Sequence, residues 1–158
     1  MQTRNILKLL TAIIICQLAG IIGQFWVTPN LAWYDTLQKP AYAPPGTLIA
    51  IIWTTLFTLM GISLYIVWNK GLQTPHIKPA LTIFATQLAI NTSWNYFFFA
   101  LQSPFLGLIV ILAMWITIAT TIALFYKIHK PAALLLTPYL VWVTIATILN
   151  YTIHTLNS

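Results

Sequence analysis

Five apolar runs, each about as long as a bilayer is thick, constrain this chain more than any other feature of its sequence. They cover residues 6–27, 47–68, 80–101, 105–126 and 132–156. At about 1.5 Å per helical residue, a run of roughly 20 residues crosses a hydrocarbon core of about 30 Å. Backbone amides in lipid must be satisfied within their own segment, so runs of this length read as helices. The expected fold is therefore an all-α integral membrane protein, a five-helix transmembrane bundle forming one domain over residues 1–158.

Charge agrees with lipid as the solvent. Only 5% of the residues are charged, against roughly 25% in a soluble domain. The basic residues stand singly between apolar runs and form no patch, which excludes nucleic acid as a partner and leaves membrane lipid. Sorted by side of a five-span topology, Arg4, Lys8, Lys70, Lys78, Lys127 and Lys130 fall together and Lys39 falls opposite. By the positive-inside rule the amino terminus is cytoplasmic in a bacterial-type inner membrane, and the connection between the first two helices faces outward. The first run continues past Gln17 and Gln24, too long for a cleaved signal, and is expected to stay as a helix.

That first connection, residues 28–46, concentrates what the rest of the chain lacks. It holds Asp35, the one acidic residue, with Lys39, Trp33, Tyr34 and prolines at 40, 44 and 45. Proline removes an amide donor and restricts the residue before it, so an irregular, Pro/Trp-rich lid is expected here.

Inside the runs, polar and aromatic residues recur at helical spacing. Trp53, Phe57, Met60, Leu64 and Trp68 share one face; Tyr139, Trp142, Ala146 and Leu149 share another; Gln87, Asn91, Trp94, Asn95 and Phe98 form a mixed face. Amides at membrane depth need partners, so Gln87 and Asn91 should point into the bundle, either as glue between helices or as ligand contacts. Trp53 and Trp142 lie too deep for an interfacial belt and can wall a cavity under the lid, whereas Trp33, Trp68 and Tyr126 suit the belt. Ala85 and Ala89, four apart, allow close helix approach and mark a possible seam between two copies.

The blocks Trp33-Tyr34, Leu37-Gln38-Lys39-Pro40, Pro44-Pro45, Met60-Gly61, Gln87-Leu88-Ala89-Ile90-Asn91, Pro138-Tyr139-Leu140-Val141-Trp142 and Leu149-Asn150-Tyr151 stand in an order and spacing that resembles the TspO/MBR family of tryptophan-rich sensory and translocator proteins. The resemblance implies a five-helix bundle that dimerises and a pocket beneath the first loop for porphyrins, protoporphyrin IX among them, and synthetic isoquinoline or benzodiazepine ligands. Carried over by motif, the lining is Tyr34, Ile49, Ala50, Trp53, Gln87, Asn91, Trp94, Trp142, Ala146 and Leu149, with Lys39 at the rim as a partner for a propionate. The basic residue that completes a sterol-recognition pattern does not follow Tyr151, which argues against specific sterol binding.

The resemblance implies a porphyrin-binding receptor, sensor or transporter-like protein, and no required cofactor and no metal are expected. His76 and His129 fall on the basic side and His154 opposite, so they cannot converge on one ion, and no nucleophile triad is in sight. Catalysis survives in one form that the resemblance implies, light- and oxygen-dependent breakdown of bound protoporphyrin with Trp53 and Trp142 as redox partners. A structural or partner-regulating membrane protein is the third expectation.

Overall fold

The computed structural model describes residues 3–158; residues 1 and 2 of the expected domain lie outside it. Its long helices are α1 (Thr3–Val27), α3 (Gly46–Trp68), α4 (Ile77–Asn95), α5 (Pro104–Ile128) and α7 (Thr137–Leu156). Two short ones, α2 (Leu31–Thr36) and α6 (Lys130–Leu134), sit in connections, and a π-helical turn, Tyr96–Ala100, prolongs α4. Among the described residues there is no strand.

Helix α1 packs on α3 and α4, and α5 packs on α4 and α7, so the long helices run in the order α3, α1, α4, α5, α7 around the bundle. At the basic end α6 closes the circuit, because the buried Ser63 hydroxyl of α3 donates to the Ala132 carbonyl at 2.7 Å. The inward face of α1 is Ala12, Cys16, Ala19 and Gly23, all buried and spaced by three or four. Small residues let neighbouring backbones come close, and the tightest approach is at Gly61 of α3, where a Cβ would lie 2.5 Å from the Cα of Ile13.

The centre is filled by Phe57, Met60, Phe84, Leu88, Met114, Ile118, Phe125, Tyr139 and Val143. Phe84 and Phe125 stack at 5.7 Å across α4 and α5. Outside, every long helix except α4 exposes large aliphatic residues, such as Leu7, Ile14, Ile51, Ile116 and Ile148. So wide an apolar exterior suits hydrocarbon and not water. The protein is a multi-pass integral membrane protein. Among the described residues four helical segments are long and apolar enough to cross a membrane; α4, with Gln87, Asn91 and Asn95 in its 19 residues, is not one of them. Its amides turn into the bundle, where neighbouring helices solvate them.

Two expectations need correction. The lid is not irregular throughout residues 28–46. A 3-10 turn, Thr28–Asn30, and α2 carry helix on from α1, and irregular chain begins only at Leu37. Pro29 sits in the first turn of its segment, where its missing donor costs nothing, and the Asn30 amide donates back to the Trp26 carbonyl at 2.8 Å. The prolines that stop helix are those at 40, 44 and 45. The run at 132–156 is likewise divided, with a break between α6 and α7 that places Pro138 in the first turn of α7.

The ends of the bundle differ. At the basic end Lys8 lies over the Trp68 ring at 5.7 Å and Lys130 over Tyr126 at 5.3 Å. At the other end an aromatic plug forms: Trp33 meets Phe98 edge-on at 5.7 Å, Tyr34 lies 5.5 Å from Phe99, and Trp94 stacks on Phe98 at 4.9 Å. Trp33 is thus a half-buried packing residue as well as an end residue. The lid is tied to the end of α7, since the Gln38 backbone N–H donates to the Asn157 side-chain oxygen and the Asn157 side-chain amide donates to the Gln38 backbone carbonyl, each at 2.9 Å.

Candidate functional site

A cavity of about 310 Å³ lies between α1, α3 and α4, floored by Met114 of α5. Helical spacing explains how each element reaches it. Gln17, Gly20, Ile21 and Gln24 are one face of α1, at i, i+3, i+4 and i+7; Ile49, Ala50, Trp53, Thr54 and Phe57 are one face of α3; Asn91, Trp94 and Asn95 are one turn of α4. Ile21, Gln24, Ala50 and Thr54 are exposed, so the cavity opens sideways between α1 and α3 toward the lid end.

Its wall is aromatic and amide. Trp53 stacks on Phe57 at 5.6 Å and meets Tyr139 edge-on at 6.1 Å. Trp94 is held by its indole N–H, which donates to the Asn150 side-chain oxygen at 3.2 Å, while the Asn150 amide donates to the Pro104 carbonyl at 2.8 Å. Gln17 is fixed across the α1–α3 seam, its amide donating to the Thr54 carbonyl and the Thr58 hydroxyl, each at 3.0 Å. Among the described residues no lysine, arginine, aspartate or glutamate lines the cavity. Glycines make the space: a Cβ on Gly20 would lie 2.5 Å from the Phe57 ring, and one on Gly23 would lie 2.5 Å from the Asn95 amide.

Of the residues expected to line a pocket, the structure brings Ile49, Ala50, Trp53, Asn91 and Trp94 together here. Gln87 lies one turn deeper, buried behind the wall, with its side-chain oxygen accepting from the Tyr139 hydroxyl at 2.9 Å. Tyr34 belongs to the aromatic plug, and Lys39 is occupied with it: the ammonium donates to the Tyr34 carbonyl at 2.6 Å and sits 4.5 Å above the ring. Trp142 is not in this cavity. It lines a shallower groove between α3 and α7, with Ile52, Leu56 and Pro138, and its indole N–H is buried without a partner. Ala146 packs on the central core and Leu149 on Phe98, Phe99 and Ile153. Among the described residues no three His, Cys, Asp or Glu side chains come together.

The sequence reading missed the contribution of α1. Its signal was present, because Gln17 and Gln24 are seven residues apart in the otherwise apolar stretch 12–27, with Gly20 between them on the same face.

Comparison with known proteins is consistent along nearly the whole chain. A family model described as the TspO/MBR family matches residues 12–156. The tryptophan-rich protein TspO of Chlorobaculum tepidum is 40% identical over 157 residues, 99% of each chain. Protein CrtK of Rhodobacter capsulatus is 35% identical, covering 90% of this chain and 88% of that one. The bovine translocator protein is 35% identical over 137 residues, 85% of this chain and 80% of the relative.

Proposed function

The chain belongs to the TspO/MBR family, and from that premise we propose that it is a membrane receptor, sensor or transporter-like protein that binds porphyrins, protoporphyrin IX among them, and related flat hydrophobic molecules in the cavity between α1, α3 and α4. The observation that carries this reading is the composition of the wall. Trp53, Phe57 and Trp94 offer ring faces to a conjugated plane, while Gln17, Gln24, Asn91 and Asn95 offer uncharged hydrogen-bonding groups at a depth where a charge would be costly. The cavity volume is at the lower end of the roughly 300–1,000 Å³ usual for small-molecule sites. A porphyrin would therefore leave one edge in the opening between α1 and α3, with its carboxylates directed toward the lid end.

Binding needs no cofactor in this reading. The excess of basic residues at one end supports an amino terminus on the cytoplasmic side of a bacterial-type inner membrane, with the lid outside. A homodimer through the Ala85–Ala89 face of α4 belongs to the same reading. Both alanines are exposed, and no large exposed apolar side chain occurs between Leu72 and Tyr96.

The test is a protoporphyrin titration of the protein in lipid nanodiscs, followed by tryptophan quenching, with Trp53→Phe and Trp142→Phe beside it, in darkness and under light. Saturable binding that weakens about fivefold in Trp53→Phe and little in Trp142→Phe is expected, since loss of a well-packed aromatic contact costs on the order of 1 kcal/mol. Non-saturable quenching indifferent to Trp53 would reject the site. Light-dependent loss of the porphyrin bands that requires Trp53 would move the reading to a porphyrin-degrading protein.

A further inference from the structure

Gln87 is 1% exposed, absent from the cavity wall, and holds its side-chain nitrogen buried with no partner. A buried amide N–H left unpaired costs free energy, so its position invites a reason beyond packing. The reason lies in what Gln87 touches. The Tyr139 hydroxyl donates to the Gln87 oxygen at 2.9 Å, and the Asn91 side-chain nitrogen donates to the same hydroxyl at 2.8 Å and to the Met114 sulfur at 3.6 Å. Tyr139 is itself 1% exposed, so no solvent intervenes.

A phenol carries one proton. The two amides that it joins cannot therefore both meet it with oxygen: once one of them accepts the proton, the other can only donate to it. Because Gln87 presents oxygen, Asn91 must present nitrogen, and the Asn91 oxygen is turned away from the network. Asn91 lines the cavity; its oxygen has no protein partner and is not among the buried unpaired atoms. It is accordingly the atom that the cavity receives. An amide's oxygen and nitrogen are nearly equal in size, so turning both side chains would reverse the relay and give the cavity the Asn91 N–H groups at the loss of the bond to Met114.

We propose that Gln87, without reaching the cavity, sets its hydrogen-bonding polarity through Tyr139, so that the site selects flat aromatic molecules carrying an N–H over equally shaped ones carrying only a carbonyl. Gln87 is a positioning residue, and Asn91 is the contact. This rests on the cavity being a ligand site and names the class of molecule that the site prefers. Removing the Gln87 oxygen, as in Gln87→Leu, leaves Tyr139 with one acceptor for its proton, the Asn91 oxygen. The Asn91 amide then turns, and the preference reverses.

Carbazole and 9-fluorenone make the test, being planar tricycles of the same outline, one with an N–H and no carbonyl, the other the converse. Each is titrated into the protein in nanodiscs against tryptophan quenching. The wild type should bind carbazole more tightly, and Gln87→Leu should shift the ratio of the two affinities toward fluorenone by roughly tenfold, the worth of exchanging one hydrogen bond for a mismatch. On a Tyr139→Phe background the same substitution should add no shift, because the coupling passes through the hydroxyl. Gln87→Met, closer in volume, replaces Gln87→Leu if the latter does not fold. Saturable binding of both probes with an unchanged ratio in Gln87→Leu overturns the relay, as does an equal shift without the Tyr139 hydroxyl. Failure of both probes to saturate the wild type overturns the ligand-site reading, and the relay with it.

Discussion

Gly20→Ala should reduce ligand binding by pushing Phe57, and with it Trp53, into the cavity. A methyl at Gly20 would stand 2.5 Å from Phe57 Cε2, 2.9 Å from Cδ2 and 3.2 Å from Cζ. Carbon atoms in contact settle at about 3.5–4.0 Å, so the ring must retreat by about 1 Å. Phe57 is nearly fully buried and stacked on Trp53, which passes the displacement into the cavity wall. Overpacking of this kind costs about 1–3 kcal/mol, and because a flexible ring absorbs it, the lower end is expected for stability. Binding should suffer more, since the ligand competes for the same space; a loss of about 1.4 kcal/mol is tenfold in affinity. Protoporphyrin titration in nanodiscs reads the affinity, and thermal unfolding in detergent reads the fold. Gly61→Ala is the control. Its methyl would strike the Ile13 backbone, 2.5 Å from the Cα, which cannot swing aside, so it should lower stability by about 2–3 kcal/mol while the folded fraction binds normally. A folded Gly20→Ala protein with wild-type affinity, or a Gly61→Ala protein that loses affinity equally, would refute the argument.

Two further outcomes follow from side chains away from the cavity wall. Asn150→Ala removes the acceptor of the Trp94 indole and the donor to the Pro104 carbonyl at once, and should destabilise the bundle by about 2–4 kcal/mol in a detergent unfolding series, while Asn150→Asp should do at least as much harm, because it buries a carboxylate against the Pro104 carbonyl. Leu at both Ala85 and Ala89 should weaken a crosslinked dimer without unfolding the monomer, because both positions face outward; an undiminished dimer would place the seam elsewhere.

Much of the bundle was legible because a membrane helix announces itself by length. Faces were legible too, since period 3.6 places Trp53 with Phe57 and Asn91 with Trp94 and Asn95 whatever the surroundings. The error over the lid came from extending the effect of prolines 40, 44 and 45 back over residues 28–36, which precede them and stay helical. Pro29 at the start of a turn is compatible with helix, while prolines 40, 44 and 45 are not, and the difference is whether a hydrogen-bonded amide is lost.

A sequence of helix faces determines what each helix can bury but leaves open which neighbour receives it. Trp53 and Trp142 both point inward on the evidence of spacing, yet the order α3, α1, α4, α5, α7 puts Trp53 in a cavity walled by α1 and sends Trp142 to a groove on the other side of α3. Gln87 and Asn91 are neighbours on one face, yet one turn of helix separates a residue behind the wall from a residue in it. The apolar runs, their lengths and their charged ends were decided by local chemistry. The composition of the cavity was decided only when small residues on α1 let α3 and α4 close around it, because a cavity is the space that several helices fail to fill and belongs to none of them alone.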